Sequence, residues 1–482
     1  MTAGIWMLLL LALLIIGTGL PVWALLLAVA SAFAAAGVAL GTFDVAILSA
    51  TGPRLVALLE SDLLQALPLY VLVGVLLQRL PVADALFGSL ARALRRTGAG
   101  ASLAALAVGA LIAPMNGSVA SSAGLLSRLV APRLAGLAPA RGLALVSAAA
   151  TVGVVVPPSL VLILLGDVML RAHTEASNLS GQVWTGQRIV NTQDVLHAAL
   201  VPALCVLALW SVAAWVQGRQ WGKLAPPPPQ PRRVHLLAAV AGIGIFGLLA
   251  SVFTGRLYAV EAAALGGCVL LAAAAASRAF DARQWRDLLH EALALSGALF
   301  ALLVGATTFS LVFRLFGTDR WLAQLLLGSP WPPMASAACT LLAVALCAWV
   351  LDAFEMIFVV IPIVAPLLIL QLGDAQQVAV LLLLVLQVSF LLPPMGYAVL
   401  MARAMSNLPR TGMRTLLPAL APFIAAQLAV AALVFALPAV VHWLDARAAA
   451  ASNTPAPADD EIVRQMREMS PQPPAEQEPA PR

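Results

Sequence analysis

Charge is what this chain has least of. Only 10% of its 482 residues are Asp, Glu, Lys or Arg, against about 25% in an average globular chain. Lysine is nearly absent: Lys223 stands alone, and every other basic residue apart from histidine is arginine. Residues that bind metals are equally sparse. Cys205, Cys268, Cys339 and Cys347 all lie in apolar runs, with no C-x-x-C or zinc spacing, which leaves them as small packing residues. His173, His197, His235, His290 and His442 are scattered, so no histidine-based metal site is expected. Hydrolytic signatures are missing as well. There is no G-x-x-x-x-G-K-[ST] to cradle phosphates and no H-E-x-x-H. No G-x-S-G precedes a usable His, and no second intramembrane Asp motif accompanies Asp352. These absences argue against an enzyme and against ATP hydrolysis.

What fills the chain is apolar: 62% hydrophobic residues and a mean hydropathy of +0.96. About 20 such residues cross a bilayer, and the stretch "IWMLLLLALLIIGTGLPVWALLLAVASAFAAAGVAL" carries no charge at all. The pattern predicts an all-α polytopic membrane protein with about eleven transmembrane helices, near 4–18, 20–40, 44–60, 66–79, 140–170, 191–218, 234–253, 258–278, 291–316, 375–403 and 412–441. No Lys or Arg precedes Arg54, so the N-terminal run lacks the charged region of a signal peptide and is expected to be a retained helix. The sequence pI is near 9.5, yet the arginines fall in loops between spans. That is membrane topology rather than nucleic-acid binding. The stretches 82–96 and 281–293 read as interfacial amphipathic helices.

Two stretches, 100–135 and 334–372, do not read as simple spans, because polar or turn-forming residues interrupt them. Both are expected to be re-entrant hairpins. Between 219 and 233 runs "RQWGKLAPPPPQPRR", whose consecutive prolines cannot continue a membrane helix. It divides the chain into a first half, 1–218, and a second, 234–446. The remainder, 447–482, is rich in Pro, Glu and Ala and is expected to be disordered. The halves repeat one another. Asn116 precedes Pro157 by 41 residues and Asp352 precedes Pro393 by 41, with an Ala-Pro between in each case. Arginines at 92, 95, 96, 128, 133, 141, 278, 283, 286, 403, 410 and 414 share one side of the membrane if the linker does; few, such as Arg171, Arg188, Arg256 and Arg320, lie opposite. The positive-inside rule then puts the N-terminus inside and the tail outside, with the two repeats inverted.

Interrupted helices at matching positions point to a transporter's binding site. Unpaired backbone groups in hydrocarbon cost several kcal/mol each, so irregular backbone survives there only where it lines a cavity or binds something. "MNGSVASSAG" (115–124) reads as a hairpin tip: Asn116 and Ser118 offer oxygens and Gly117 permits the turn. Close helix packing is the alternative use of Ser121, Ser122 and Gly124. Thr151, Gly153 and Ser159 flank the Pro157–Pro158 break and can line the same cavity; Pro393–Pro394 are followed by Gly396 and Tyr397. Asp352 and Glu355, three apart and so on one helix face, can bind Na⁺, carry a proton or cap a helix. Thr307, Thr308 and Ser310 in "GATTFS" either contribute to the site or bond back to their own helix. Carbonyl oxygens and small hydroxyls suit dehydrated Na⁺, and helix N-termini suit an anion.

In order and combination, "APMNGSVASSAGLLSRLVAPRL", "TVGVVVPPSLVLILLGD", "GATTFSLVFRLFG", "LDAFEMIFVVIPIVAPLL" and "LLPPMGYAVLMA" resemble the large, DctM-like membrane subunit of a TRAP (tripartite ATP-independent periplasmic) transporter over about residues 1–445. The "LDAFE" form is similar to the branch labelled mannitol or chloroaromatic transport. The resemblance implies an elevator-type, Na⁺-driven importer in the bacterial inner membrane. It implies two protein partners, a small four-helix membrane subunit and a periplasmic solute-binding protein, and an organic acid as the usual solute. The family's tip and break regions map onto 116–118, 157–159, Asp352 and 393–396, with Na⁺ ligands expected among Asn116, Ser118 and Asp352. A stand-alone anion symporter of the same broad fold is the competing expectation; a neighbouring gene for a small four-helix subunit would separate them.

Overall fold

The computed structural model describes residues 3–444 except 45, 47–48, 50, 61, 117, 135–138, 181–189, 220–230, 329, 395 and 407–410. The linker and tail expected at 219–233 and 447–482 fall almost wholly outside these residues. Residues 1–441 form one compact unit.

The described regular structure is helical throughout. In chain order the first helices are α1 (Ala3–Thr18), α2 (Val22–Ala39), α3 (Thr51–Leu59), α4 (Asp62–Arg79) and α5 (Val82–Ala93). Then come α6 (Gly100–Asn116), α7 (Val119–Leu134), α8 (Pro139–Val155), α9 (Leu160–Ser180) and α10 (Thr192–Arg219). The rest are α11 (Arg232–Phe253), α12 (Ala259–Ala276), α13 (Ala282–Leu315), α14 (Thr318–Leu327), α15 (Pro333–Cys347), α16 (Ala353–Leu372), α17 (Ala375–Leu391), α18 (Tyr397–Met405) and α19 (Met413–Ala436).

Among the described residues seven helices are long and apolar enough to cross a membrane, or up to nine if two bent pairs each count as one span. Eleven were expected from the sequence. Among the described residues of the stretch 44–60 the helix is the nine-residue α3. Span 375–403 is divided between α17 and α18, and α1 has only 16 residues. Span 140–170 is the pair α8 and α9, bent by 42°. The amphipathic stretch 281–293 is not a separate interfacial helix. It forms the first turns of the 34-residue α13, which Asp281 starts with a reciprocal cap to Gln284. The other amphipathic stretch does form a separate helix, α5, which with the 3₁₀ turn after it is bent by 63° from α4 across Pro81.

Both interrupted stretches fold as paired helices. α6 packs on α7, and α15 packs on α16. The centre of the molecule is α8 and α17, buried around nearly their whole circumference, as uniformly apolar helices must be. The hairpins lean on these two: α6 and α7 on α8, α15 and α16 on α17. Across the middle the partners exchange. α7 packs on α18 and α16 on α9, while α8 and α17 touch one another. Large apolar side chains on α1, α11 and α12, such as Leu13, Ile16, Val240, Ile243 and Val269, face outward. An outer apolar surface of this kind needs lipid rather than water.

Candidate functional site

The first hairpin turns where α6 ends at Asn116 and α7 begins at Val119. Gly117 and the side chain of Asn116 lie outside the described residues. Ser118 closes the turn by capping α7: its hydroxyl accepts from the Ser121 N–H at 3.4 Å and its carbonyl from the Ser122 N–H at 3.0 Å. The hydroxyl bond satisfies one orphan donor at the helix start, and the carbonyl accepts the first bond of the helix itself. Ser121 is held from outside the hairpin, accepting a hydrogen bond from Gln78 Nε2 of α4 at 2.5 Å.

The second hairpin reverses at 348–352. Asp352 leaves the helical region, with ψ 179°, and caps α16. Its Oδ1 accepts from the Glu355 N–H at 2.9 Å, and Glu355 Oε2 accepts from the Asp352 N–H at 3.0 Å. Of the uses open to these carboxylates, helix capping is the one the geometry displays. Each keeps a second oxygen outside the reciprocal bonds. Past this cap the helix widens into a π turn at Met356–Val360. Pro362, which has no N–H to return to Phe358, follows it.

Both double-proline breaks are present, and both Pro-Pro bonds are cis. At the first, Ser159 caps α9 through the Leu162 N–H at 3.1 Å. At the second, Gly396 begins α18 under the backbone of the preceding helix. A Cβ there would lie 2.8 Å from the Phe390 carbonyl oxygen and 2.9 Å from that of Leu392, so the tight turn requires glycine.

The two hairpin ends meet. Ser118, Ser121, Asp352 and Glu355 line one cavity of about 580 Å³, with Gln78 and Glu291 on its other walls. Glu291 of α13 is paired to Arg79 of α4 at 2.5 Å.

Other expected site residues are placed differently. Thr151 is fully buried between α8 and α17: its hydroxyl donates to the Ala148 carbonyl at 2.9 Å, and its own carbonyl accepts from Gln387 Nε2 at 3.1 Å. Gly153 is a contact point, where a Cβ would come within 2.5 Å of the Ala113 backbone in α6. Thr307 lines a second cavity, of about 630 Å³, farther along α13, while Thr308 bonds back to the Val304 carbonyl at 2.8 Å. Pro157, Ser159, Pro393 and Gly396 line neither cavity among the described residues. They shape the helices beside the hairpins.

Sequence reasoning missed the groups that hold the hairpins from the side. Gln78 and Arg79 end α4, and Glu291 lies in the amphipathic first turns of α13, places where a polar residue is unremarkable. Gln387 and Gln427 were readable as polar residues inside long apolar helices. Gln427 donates to Gln387 Oε1 at 2.8 Å, tying α19 to α17.

Comparison with known proteins bears on the family and the fold. The family model described as the tripartite ATP-independent periplasmic transporter, DctM component, matches residues 5–440. No curated protein matches by sequence. Among solved structures the chain is similar to the YdaH transporter of Alcanivorax borkumensis, with 17% identity and a TM-score of 0.56 over 81% of this chain and 87% of that one. MtrF of Neisseria gonorrhoeae, described as illuminating a class of antimetabolite efflux pumps, aligns with 14% identity and a TM-score of 0.49 over 82% and 83% of the two chains. The likeness to YdaH concerns fold alone. Family membership rests on the match over residues 5–440: the chain belongs to the DctM component of the tripartite ATP-independent periplasmic transporters, a multi-pass permease of the cytoplasmic membrane and not an enzyme, which moves its solute by secondary transport without ATP.

Proposed function

We propose that the chain is the permease of a Na⁺-coupled importer of an organic acid. The solute is handed over by a periplasmic binding protein, and a small four-helix membrane subunit completes the permease. The observation that carries this reading is the meeting of two capped hairpin ends, Ser118 and Asp352, at one cavity. A Na⁺ ion needs oxygens freed from backbone pairing. Hairpin ends and the neighbouring Pro-Pro breaks are where this chain frees them, and Asn116, Ser118 and Asp352 are the proposed ligands.

The reading includes two inverted repeats divided near 219–233, with both hairpins re-entrant and moving as part of an elevator body. The exchanged packing of α7 on α18 and of α16 on α9 supports it, because a twofold repeat produces such paired contacts. The "LDAFE" likeness to the mannitol or chloroaromatic branch names no solute, since the binding protein selects it.

Uptake into proteoliposomes holding both membrane subunits, with the binding protein outside, tests the coupling. Uptake should follow an inward Na⁺ gradient and ignore ATP. Accumulation that persists with K⁺ on both sides and no Na⁺ would refute the coupling ion.

A further inference from the structure

Arginines on the far side of the membrane need a reason. The positive-inside rule gathers basic residues on the cytoplasmic side, and most of this chain's arginines follow it. Arg171 and Arg320 are among the few that do not. In the folded chain these two converge with Arg54 and Arg314 on the cavity of about 630 Å³. Four separate helices, α3, α9, α13 and α14, each send an arginine to the same space.

Two of the four are already engaged. Arg171 pairs with Asp167 at 3.0 Å, one turn away on α9, and Arg314 pairs with Glu175 across from α13 to α9. Arg54 and Arg320 are exposed and have no ion-pair partner among the described residues. Asp319, Thr174, Thr307, Ser310 and Asn178 complete the polar lining, so four arginines face three carboxylates, Asp167, Glu175 and Asp319, and the lining keeps a net positive charge. The hairpin cavity has the opposite character: Glu291, Asp352 and Glu355 line it, and no Arg or Lys is among its lining residues. An anionic solute finds unpaired cations only in the first of these cavities.

We infer that the cavity between α9, α13 and α14 is an entry site for a carboxylate-bearing solute, in which Arg54 and Arg320 bind the carboxylate before it reaches the hairpins. Guanidinium groups suit this work because they remain charged and match a carboxylate with two parallel hydrogen bonds. The inference rests on the proposed import of an organic acid and on the orientation that places this cavity outside.

The test needs neither Na⁺ nor the binding protein, so its failure is separate from failure of the coupling. Thr307→Cys is made in a chain whose Cys205, Cys268, Cys339 and Cys347 are replaced by Ser, with Ser310→Cys as a second reporter should the first not accumulate. Right-side-out vesicles are treated with an anionic or a cationic methanethiosulfonate, and the ratio of rates is normalised to that of a free thiol. A local potential of several kT favours the anionic reagent about tenfold at low salt, and salt erodes the preference. Arg54→Gln with Arg320→Gln should bring the ratio close to the free-thiol value. Succinate or citrate should slow modification at Thr307→Cys in the parent and not in the double variant, while Ser118→Cys in detergent should prefer the cationic reagent. No charge preference at Thr307→Cys, or a preference unchanged in the double variant, would overturn the site. Preference without protection by either acid would also overturn it, and would leave the arginines facing a docked protein instead. A thiol that reacts in detergent but not from outside the vesicles would remove the entry role.

Discussion

At the scale of single residues, two aspartates that look alike in the sequence have separable duties. Asp352 and Asp374 both cap helices, α16 and α17 respectively. Next to Gly373 and the end of α16, Asp374 is not a loop residue open to substitution. Instead its Oδ1 accepts from the Gln376 and Gln377 N–H groups at 3.0 and 3.1 Å, immediately after Gly373 ends α16 at φ 75°. Losing an N-cap costs about 1 kcal/mol. Asp374→Ala should therefore lower the thermal unfolding midpoint in detergent while leaving uptake per folded molecule unchanged. Asp352→Ala should lose a similar amount of stability and also lose uptake. Asp352→Asn separates the roles, since Asn caps as well as Asp. Stability near wild type with a raised Na⁺ requirement is the expected result; wild-type uptake by Asp352→Ala across the Na⁺ range would remove Asp352 from the site.

At the scale of helices, packing distances decide what may change. α6 and α8 approach so closely that a Cβ on Gly153 would sit 2.5 Å from the Ala113 backbone, and one on Gly109 would sit 2.6 Å from the Ala149 carbonyl oxygen. Backbone cannot move aside as a side chain can. Gly153→Ala should cost about 1–3 kcal/mol by overpacking and push the first hairpin off α8, so that both stability and uptake fall. Wild-type stability for this variant would mean the two helices are farther apart than described. The polar seam behind them tolerates more. Gln387→Leu takes away the donor to Thr151 and the acceptor of Gln427. Measured interhelical hydrogen bonds in membranes average below 1 kcal/mol, so a loss of about 1 kcal/mol in denaturant unfolding is expected.

At the scale of the whole molecule, the proposed elevator motion predicts which contacts persist. α7 and α18 both lean on the central α8 and should travel together. A Cβ on Gly124 of α7 would lie 2.9 Å from the Met405 sulfur of α18. Gly124→Cys with Met405→Cys, bridged by Hg²⁺, should still permit uptake. α4 instead packs mainly on the outer helices α12 and α13; it meets the hairpin along α6 and through the Gln78–Ser121 bond. Bridging Gln78→Cys to Ser121→Cys should stop uptake, and thiol reduction should restore it. Equal uptake with both bridges would mean the hairpins do not move relative to α4.

The sequence by itself determined the helical class, the places where helices break, and the two hairpins, because these depend on local chemistry. A proline lacks its N–H wherever it sits, a run of Leu and Val is apolar in any neighbourhood, and Asp followed three residues later by Glu caps a helix start. The family could be read from the same local signals in their order. Only the tertiary structure decided which of those signals share a space. It brought Ser118 to Asp352 and Glu355 across more than two hundred residues of chain. It sent Thr307 to a different cavity, turned Thr151 and Gly153 into packing contacts, and merged the stretch 281–293 into α13. Convergence of this kind depends on the crossing of distant helices, which no local pattern of residues encodes.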